Sequence, residues 1–185
     1  MDVIVVYESL FGNTRVIAEA VADGVREADP DARVTVLRSA EATPDKIGNA
    51  ALVVAGGPTH MGGMSKASVR QKVLRAANAA AGSGNPAGAG PEASGPGVRE
   101  WLDTLPRQPR GHKAAAFDTR YPFPLAGGAA RAIARGLRRH GYDVVARPAG
   151  FVVDGAQGPL RAGERDRARA WGAGLARQLA SQPAR

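Results

Sequence analysis

The chain has 185 residues, about one domain, with 25 basic and 17 acidic side chains and a net charge of +8. It contains no Cys, which excludes disulfide scaffolds, thiolate zinc sites, iron–sulfur clusters and thiol nucleophiles, and its three His (His60, His112, His140) are too scattered for a histidine metal site. No apolar run approaches the roughly 20 residues of a membrane span. Met1-Asp2 leads straight into a strand-like run with no signal peptide, so a cytoplasmic, soluble protein is expected.

Asp2 to Tyr7 is the first expected strand, an unbroken apolar run of the kind buried on both faces in parallel sheets. A loop, Glu8 to Gly12, follows. Asn13 to Ala28 has helical periodicity, with Val16, Ile17, Ala20, Val21, Gly24 and Val25 on one face. Asp29-Pro30-Asp31 stops that helix, and Arg33 to Leu37 reads as the second strand. Ala42 to Gly48 is a short helical turn entered through Thr43-Pro44. Ala51 to Ala55 is a third, wholly apolar strand, Gly56 to Gly63 a loop, and Met64 to Ala81 a helix.

From Ala76 to Gly97 the chain has no Leu, Ile, Val, Phe, Met, Tyr or Trp. With nothing to bury, its outer part, about 79–97, is expected to be a flexible Ala/Gly/Pro-rich insertion in an otherwise single domain over 1–185. Val98 to Leu105 reads as a short amphipathic helix. Lys113 to Phe117 is the fourth strand, Asp118 to Pro124 a loop, and Leu125 to Gly141 a helix. Asp143 to Val153 is a fifth strand interrupted at Arg147-Pro148. Ala162 to Leu179 closes the chain as a helix with Trp171, Leu175 and Leu179 at four-residue spacing.

Strands alternating with helices call for an α/β fold, a doubly wound, open, five-stranded parallel sheet in three layers. Ligands bind such sheets beyond the carboxyl ends of the strands. The loops after strands one, three and four are therefore the informative ones.

Ser9-Leu10-Phe11-Gly12-Asn13-Thr14 joins a buried strand to a helix N-terminus, a place that suits an anion. Ser9, Asn13 and Thr14 add short donors, and Gly12 lets the backbone approach closely. The dinucleotide fingerprint and the P-loop are both absent. Standing alone, such a loop reads equally as a capped helix start.

Val5-Val6-Tyr7-Glu8-Ser9-Leu10-Phe11-Gly12-Asn13-Thr14 resembles the FMN phosphate loop of the flavodoxin family. Phe11 replaces the hydroxyl usual in short-chain flavodoxins, so only its backbone N–H serves a phosphate. The loop is closer to those of flavodoxin-like quinone reductases and flavodiiron proteins. The resemblance implies a flavodoxin-like strand order 2-1-3-4-5 and FMN as cofactor. It covers most of the chain outside the Ala76–Gly97 stretch.

By the same resemblance, Gly56 to Met64 is the loop that lines the flavin ring, with Pro58, Thr59, His60, Met61 and Gly62 as candidates. A Gly at 62 or 63 would let a peptide rotate when the ring gains a proton. His60 would hydrogen-bond the ring or pass a proton; alone it reads as a surface-loop histidine. Asp118, Thr119, Arg120 and Tyr121 would meet the pyrimidine end, with Tyr121 stacking. A cation at Arg120 would stabilise anionic reduced flavin and raise the potential, unless Asp118 holds it as an ion pair.

Residues 1–60 carry a net charge of −4 and residues 61–185 one of +12. Arg131, Arg135, Arg138 and Arg139, with Arg161, Arg165, Arg167 and Arg169, read first as solvated helix faces and second as a docking surface for an acidic partner. Nucleic-acid binding lacks support, because no aromatic residues interleave the Arg. The main expectation is an FMN-dependent oxidoreductase passing electrons from an unidentified donor to a quinone or similar acceptor. A one-electron carrier and a flavin-free binding module remain open, and relatives of the quinone-reductase type often form homo-oligomers.

Overall fold

In a computed structural model, residues 1–60, 62–82, 95–109, 111–122, 128–155 and 158–181 are described. The elements in chain order are β1 (Asp2–Tyr7), α1 (Asn13–Ala28), β2 (Arg33–Arg38), α2 (Pro44–Ile47), β3 (Leu52–His60), β4 (Gly63–Met64), α3 (Ala67–Gly82), α4 (Val98–Thr104), β5 (Lys113–Arg120), α5 (Ala129–Arg139), β6 (Asp143–Val144), β7 (Ala149–Val152) and α6 (Glu164–Ala180).

The sheet runs β2-β1-β3-β5, with β6 and β7 both pairing the far side of β5. These pairs are parallel: Val3 registers with Val34 and Leu52, and Val54 with Ala115. β6 and β7 together are the fifth strand, broken by Arg147-Pro148 as expected, so the 2-1-3-4-5 order holds. The one antiparallel strand pair among the described residues is the β3–β4 hairpin.

Strand periodicity divides the core in two. Val3, Val5, Leu52, Val54, Ala115 and Phe117 face α1 and α6, meeting Ile17, Val21 and Leu175. Val6, Val53, Ala55, Ala114 and Ala116 face the other way, onto Trp101, Leu102, Ile133 and Leu137. Helices therefore cover both faces, giving three layers. On the first face Phe117, Phe151 and Trp171 form an edge-to-face aromatic cluster with centroids 6.2–6.3 Å apart. Gly56, the register partner of Phe117, makes room for it: a Cβ there would lie 2.1 Å from the ring.

Parts of two expected loops are strand instead, Gly56 to His60 of the first and Asp118 to Arg120 of the second. Gly56 to His60 continues β3, because β5 runs to Arg120 and offers pairing partners through Pro58↔Thr119. The chain then turns back, pairing Thr59 with Met64 and His60 with Gly63. The next helix accordingly starts at Ala67 rather than Met64. α5 begins at Ala129 rather than Leu125, where the Thr59 hydroxyl accepts from Ala129 N–H and the Asp118 carboxylate from Ala130 N–H, both at 2.9 Å. The helical character of α3 extends through Gly82; the central part of the expected insertion, 83–94, lies outside the described residues.

Candidate functional site

The carboxyl ends of β1, β3, β5 and β7 meet around one cavity of about 550 Å³, within the range of small-molecule and cofactor sites. Its walls include Ser9, Leu10, Phe11, Asn13 and Thr14 from the first loop, Pro58, Thr59 and His60 from β3, and Thr119, Arg120 and Tyr121 from the end of β5. Three segments far apart in sequence thus converge as the fold requires. Val153 and Gly155 complete the wall from the loop after β7. Neither residue is among the sequence candidates, which come only from the loops after strands one, three and four. The Asp154-Gly155 turn signal marks a further loop at the same sheet edge.

At one end of the cavity, Gly12 takes a left-handed φ of 83° and starts α1 without a side-chain cap. No acidic residue occupies the first turn of α1. Its leading N–H groups and the positive end of its dipole are therefore uncompensated by a side-chain carboxylate. Ser9 is only 2% exposed, and its hydroxyl has no hydrogen-bond partner among the described residues. A buried, unpartnered hydroxyl is costly unless something binds it. Thr14 and Thr119 join their hydroxyls at 2.8 Å, tying the α1 start to the end of β5. Gly158, at φ 103°, packs against Asn13: a Cβ there would lie 2.4 Å from the amide nitrogen. This donor set, an open helix N-terminus plus an orphaned hydroxyl, fits a phosphate group.

The other end is shaped by Pro58, His60, Arg120 and Tyr121. Tyr121 is 58% exposed, a large aromatic face held at the rim. Arg120 does not stand as a free cation. Its Nε donates to Asp118 Oδ1 at 2.7 Å, and the Arg120 side chain is 27% exposed. Asp118 is fully buried beneath the cavity rather than in its wall. Its Oδ2 accepts from Thr59 Oγ1 at 3.0 Å and from Ala130 N–H. Asp118 thereby fixes Arg120, Thr59 and the start of α5 together. The guanidinium is closely flanked by Gly128 and Gly150, where a Cβ would come within 2.9 and 2.2 Å of it.

Gly12 shapes the first loop without lining the cavity, and Gly62, at φ 78°, sits in the hairpin turn outside the wall. Met61 lies outside the described residues.

Beneath His60 lies a charged network with no counterpart among the sequence expectations. Glu8 is 5% exposed; its Oε2 accepts from Val98 N–H at 2.9 Å, and Oε1 lies 3.8 Å from Arg70 Nη1. Arg70 Nη2 donates to Glu100 Oε2 at 2.8 Å, and Glu100 also accepts from Gly97 N–H at 3.0 Å. Burial pushes the Glu8 carboxyl above the usual range, against the pull of Val98 N–H and Arg70. Burial pushes Glu100 up too, but the Arg70 hydrogen bond and the backbone N–H groups outweigh it and hold Glu100 low. His60 Nδ1 bonds Ser65 Oγ, and burial, then Arg70, lower its pKa. The partners of Glu8 are distant in sequence, 90 positions in the case of Val98, so no local motif announces them.

Arg131, Arg135, Arg138 and Arg139 are exposed along α5, a helix that carries no acid. Arg161, Arg167 and Arg169 are instead paired with Asp154, Glu164 and Glu27. No described helix is long and apolar enough to cross a membrane.

A parallel three-layer sheet with its cavity at the strand ends, walled by a phosphate-type loop, defines a flavodoxin-like α/β protein. The family described as flavodoxin domain matches residues 4–122, and the chain belongs to it. Membership implies flavin-linked electron transfer.

Solved structures agree on the fold. A flavodoxin from the domain Archaea matches with a TM-score of 0.65 and 19% identity, covering 97% of this chain and 99% of that one. Flavodoxin 1 from Bacillus cereus matches over 100% of both chains with a TM-score of 0.63 and 14% identity. The Flv1 flavodiiron core from Synechocystis sp. PCC6803 matches with a TM-score of 0.61 and 17% identity, over 97% of this chain and 36% of that one. No curated protein matches the chain.

Proposed function

We propose that the chain binds FMN in the 550 Å³ cavity and serves as a redox protein that passes electrons from a reduced donor to a quinone or similar acceptor. The observation that carries this reading is the buried, unpartnered Ser9 hydroxyl beside the uncapped start of α1. Both are donors at the cavity, and together they call for an anionic group of phosphate size.

In this reading Ser9, Thr14 and the loop N–H groups hold the phosphate. Phe11 contributes only its backbone N–H. Pro58 and His60 flank one side of the ring, and Tyr121 covers it from the rim. Bound FMN supplies the capacity to accept and release one or two electrons. Arg120 places a positive charge near the ring, reduced by its pairing with Asp118. The cavity walls exclude part of the solvent and fix the orientation of the ring against an incoming partner.

The pairing of Arg120 favours a second reading, a one-electron carrier that docks on redox proteins. It removes much of the free cation that would set this site apart from a carrier. Anaerobic stepwise reduction of the FMN-loaded protein, followed by steady-state turnover with NAD(P)H and a soluble quinone, separates the two. Sustained turnover with a single two-electron reduction wave supports the oxidoreductase. Two resolved one-electron waves without turnover support the carrier.

A further inference from the structure

We propose that the exposed face of α5 is a docking surface for an acidic protein, which it holds against the rim of the cavity. That the docked protein exchanges electrons there rests on the redox reading of the cavity; the docking itself does not.

The face is a row of cations. Arg131, Arg135, Arg138 and Arg139 are exposed at positions i, i+4, i+7 and i+8 of one helix. Ala130, Ile133, Ala134 and Leu137 bury the opposite side against the sheet. The row is about 12 Å long, at 1.5 Å of rise per residue. α5 carries no acid, and none of the four arginines makes an ion pair among the described residues. α4 packs beside α5, where a Cβ at Gly136 would lie 2.8 Å from Leu102 Cδ1. Asp103, the residue after Leu102, is exposed and makes no ion pair with the row. α6 shows the contrast, since its Arg167 and Arg169 are paired with Glu164 and Glu27. At the far end of α5, the exposed Arg107 precedes Gln108, whose N–H donates to the His140 carbonyl at 2.8 Å.

The row works against the helix that carries it. Arg131 stands in the first turn, at the positive end of the helix dipole, where an acid is favourable and a cation is not. Arg135 has like charges at i−4, i+3 and i+4, and each such pair weakens a helix slightly. Folding alone gives no reason for this arrangement. An acidic surface laid along the row offsets all of these repulsions.

The fold places the row at the cavity. Thr59 Oγ1 accepts from Ala129 N–H and Asp118 Oδ2 from Ala130 N–H, so the start of α5 is tied to the strand ends. A Cβ at Gly128 would come within 2.9 Å of the Arg120 guanidinium, which lines the cavity. Arg131 follows that anchor directly, and the row therefore begins at the rim. Tyr121, in the cavity wall, is 58% exposed. Tyr and Arg are among the side chains most enriched where protein partners bind. The planar guanidinium groups suit carboxylates. The row bears no aromatic side chain on which a base could stack, which disfavours a nucleic acid.

The probe is a fluorescent oligoglutamate peptide, titrated by anisotropy into flavin-free protein at low ionic strength. Wild type should bind it, and Arg131→Glu/Arg135→Glu should weaken binding by about tenfold or more. Arg165→Glu/Arg177→Glu makes the same change of net charge on α6, at the opposite face of the sheet, and should weaken it by less than about threefold. In 1H–15N spectra the peptide should shift the amides of residues 129–139 and of Tyr121 and leave those of α6 in place. Arg131→Glu alone should raise the denaturation midpoint, because it suits the dipole and pairs with Arg135.

Absence of binding, an equal loss in both double variants, shifts confined to other elements or a lowered midpoint in Arg131→Glu overturns the proposal. So does tighter binding to oligothymidine of the same charge, or to phosphatidylserine vesicles, that is lost in the α5 variant. FMN uptake should be the same in wild type and in the α5 variant. Failure of both to take up FMN overturns the cavity reading and leaves the peptide result standing.

Discussion

Asp118 and Arg120 stand two residues apart on β5 and form an ion pair at 2.7 Å, one partner fully buried and the other in the cavity wall. The pair couples the site to the fold, because the same carboxylate holds Thr59 and the N-terminus of α5. Asp118→Ala is therefore expected to cost about 3–5 kcal/mol, as for other buried pairs broken on one side. Urea denaturation measures it. Arg120→Glu should lower the reduction potential of bound FMN, since a negative charge replaces the cation near the reduced ring. The expected shift corresponds to on the order of 1 kcal/mol at an effective dielectric near 20. An unchanged potential would remove Arg120 from the electrostatics of the site.

The α1–α6 contact depends on two glycines. A Cβ at Gly24 would lie 1.9 Å from the carbonyl oxygen of Arg169, and one at Gly172 would lie 2.2 Å from that of Val21. Gly24→Ala is expected to destabilise the chain by about 2–3 kcal/mol or more, because backbone must move on both helices. Gly174 lies on the same helix α6 with open space around its Cβ position. Gly174→Ala should instead gain about 0.5–1 kcal/mol from helix propensity. Paired denaturation curves decide whether the close contact or the helix propensity dominates.

Ser9→Ala separates folding from binding. Without ligand, removing a buried hydroxyl that has no partner should leave stability unchanged or slightly raised. FMN affinity should fall about tenfold or more, the loss of one hydrogen bond to a charged group. Riboflavin, which lacks the phosphate, should bind wild type and variant equally. An equal loss for both flavins would place Ser9 away from the phosphate.

Glu8 predicts an unusual pH dependence. Its folded pKa lies above the unfolded value of 4.5, so its favourable contribution is fully present below that pH and is lost as pH rises through the folded pKa. The stability of wild type relative to Glu8→Gln should therefore fall as pH rises through that window, by on the order of 1 kcal/mol for each pH unit it spans. Glu100 and His60 have lowered pKa values and act in the opposite sense, but both are present in the two proteins. Denaturation of the pair at several pH values isolates the Glu8 contribution.

The fold was legible where burial is two-sided or strictly periodic. The apolar runs of β1 and β3, and the spacing of Ile17, Val21 and Val25 on α1, mark elements whose core positions are the ones expected. Strand ends were less legible. Gly56 to His60 carries turn-like residues, and only the opposing edge of β5 makes it strand. The residues of the three loops that line the cavity are legible because each loop is local in sequence. The place of Asp118 beneath the cavity is not legible, because sequence order cannot show that a strand residue points beneath its neighbours. The Glu8–Arg70–Glu100 network has no signature in the sequence, because its members, one in the loop after β1, one on α3 and one on α4, meet only in the folded chain.

If this cavity is built for FMN, calorimetric titration of flavin-free protein with FMN shows it without recourse to any acceptor. The expected result is one FMN per chain, a yellow complex, and affinity well above that for riboflavin. No uptake of FMN, or equal affinity for both flavins, would contradict it.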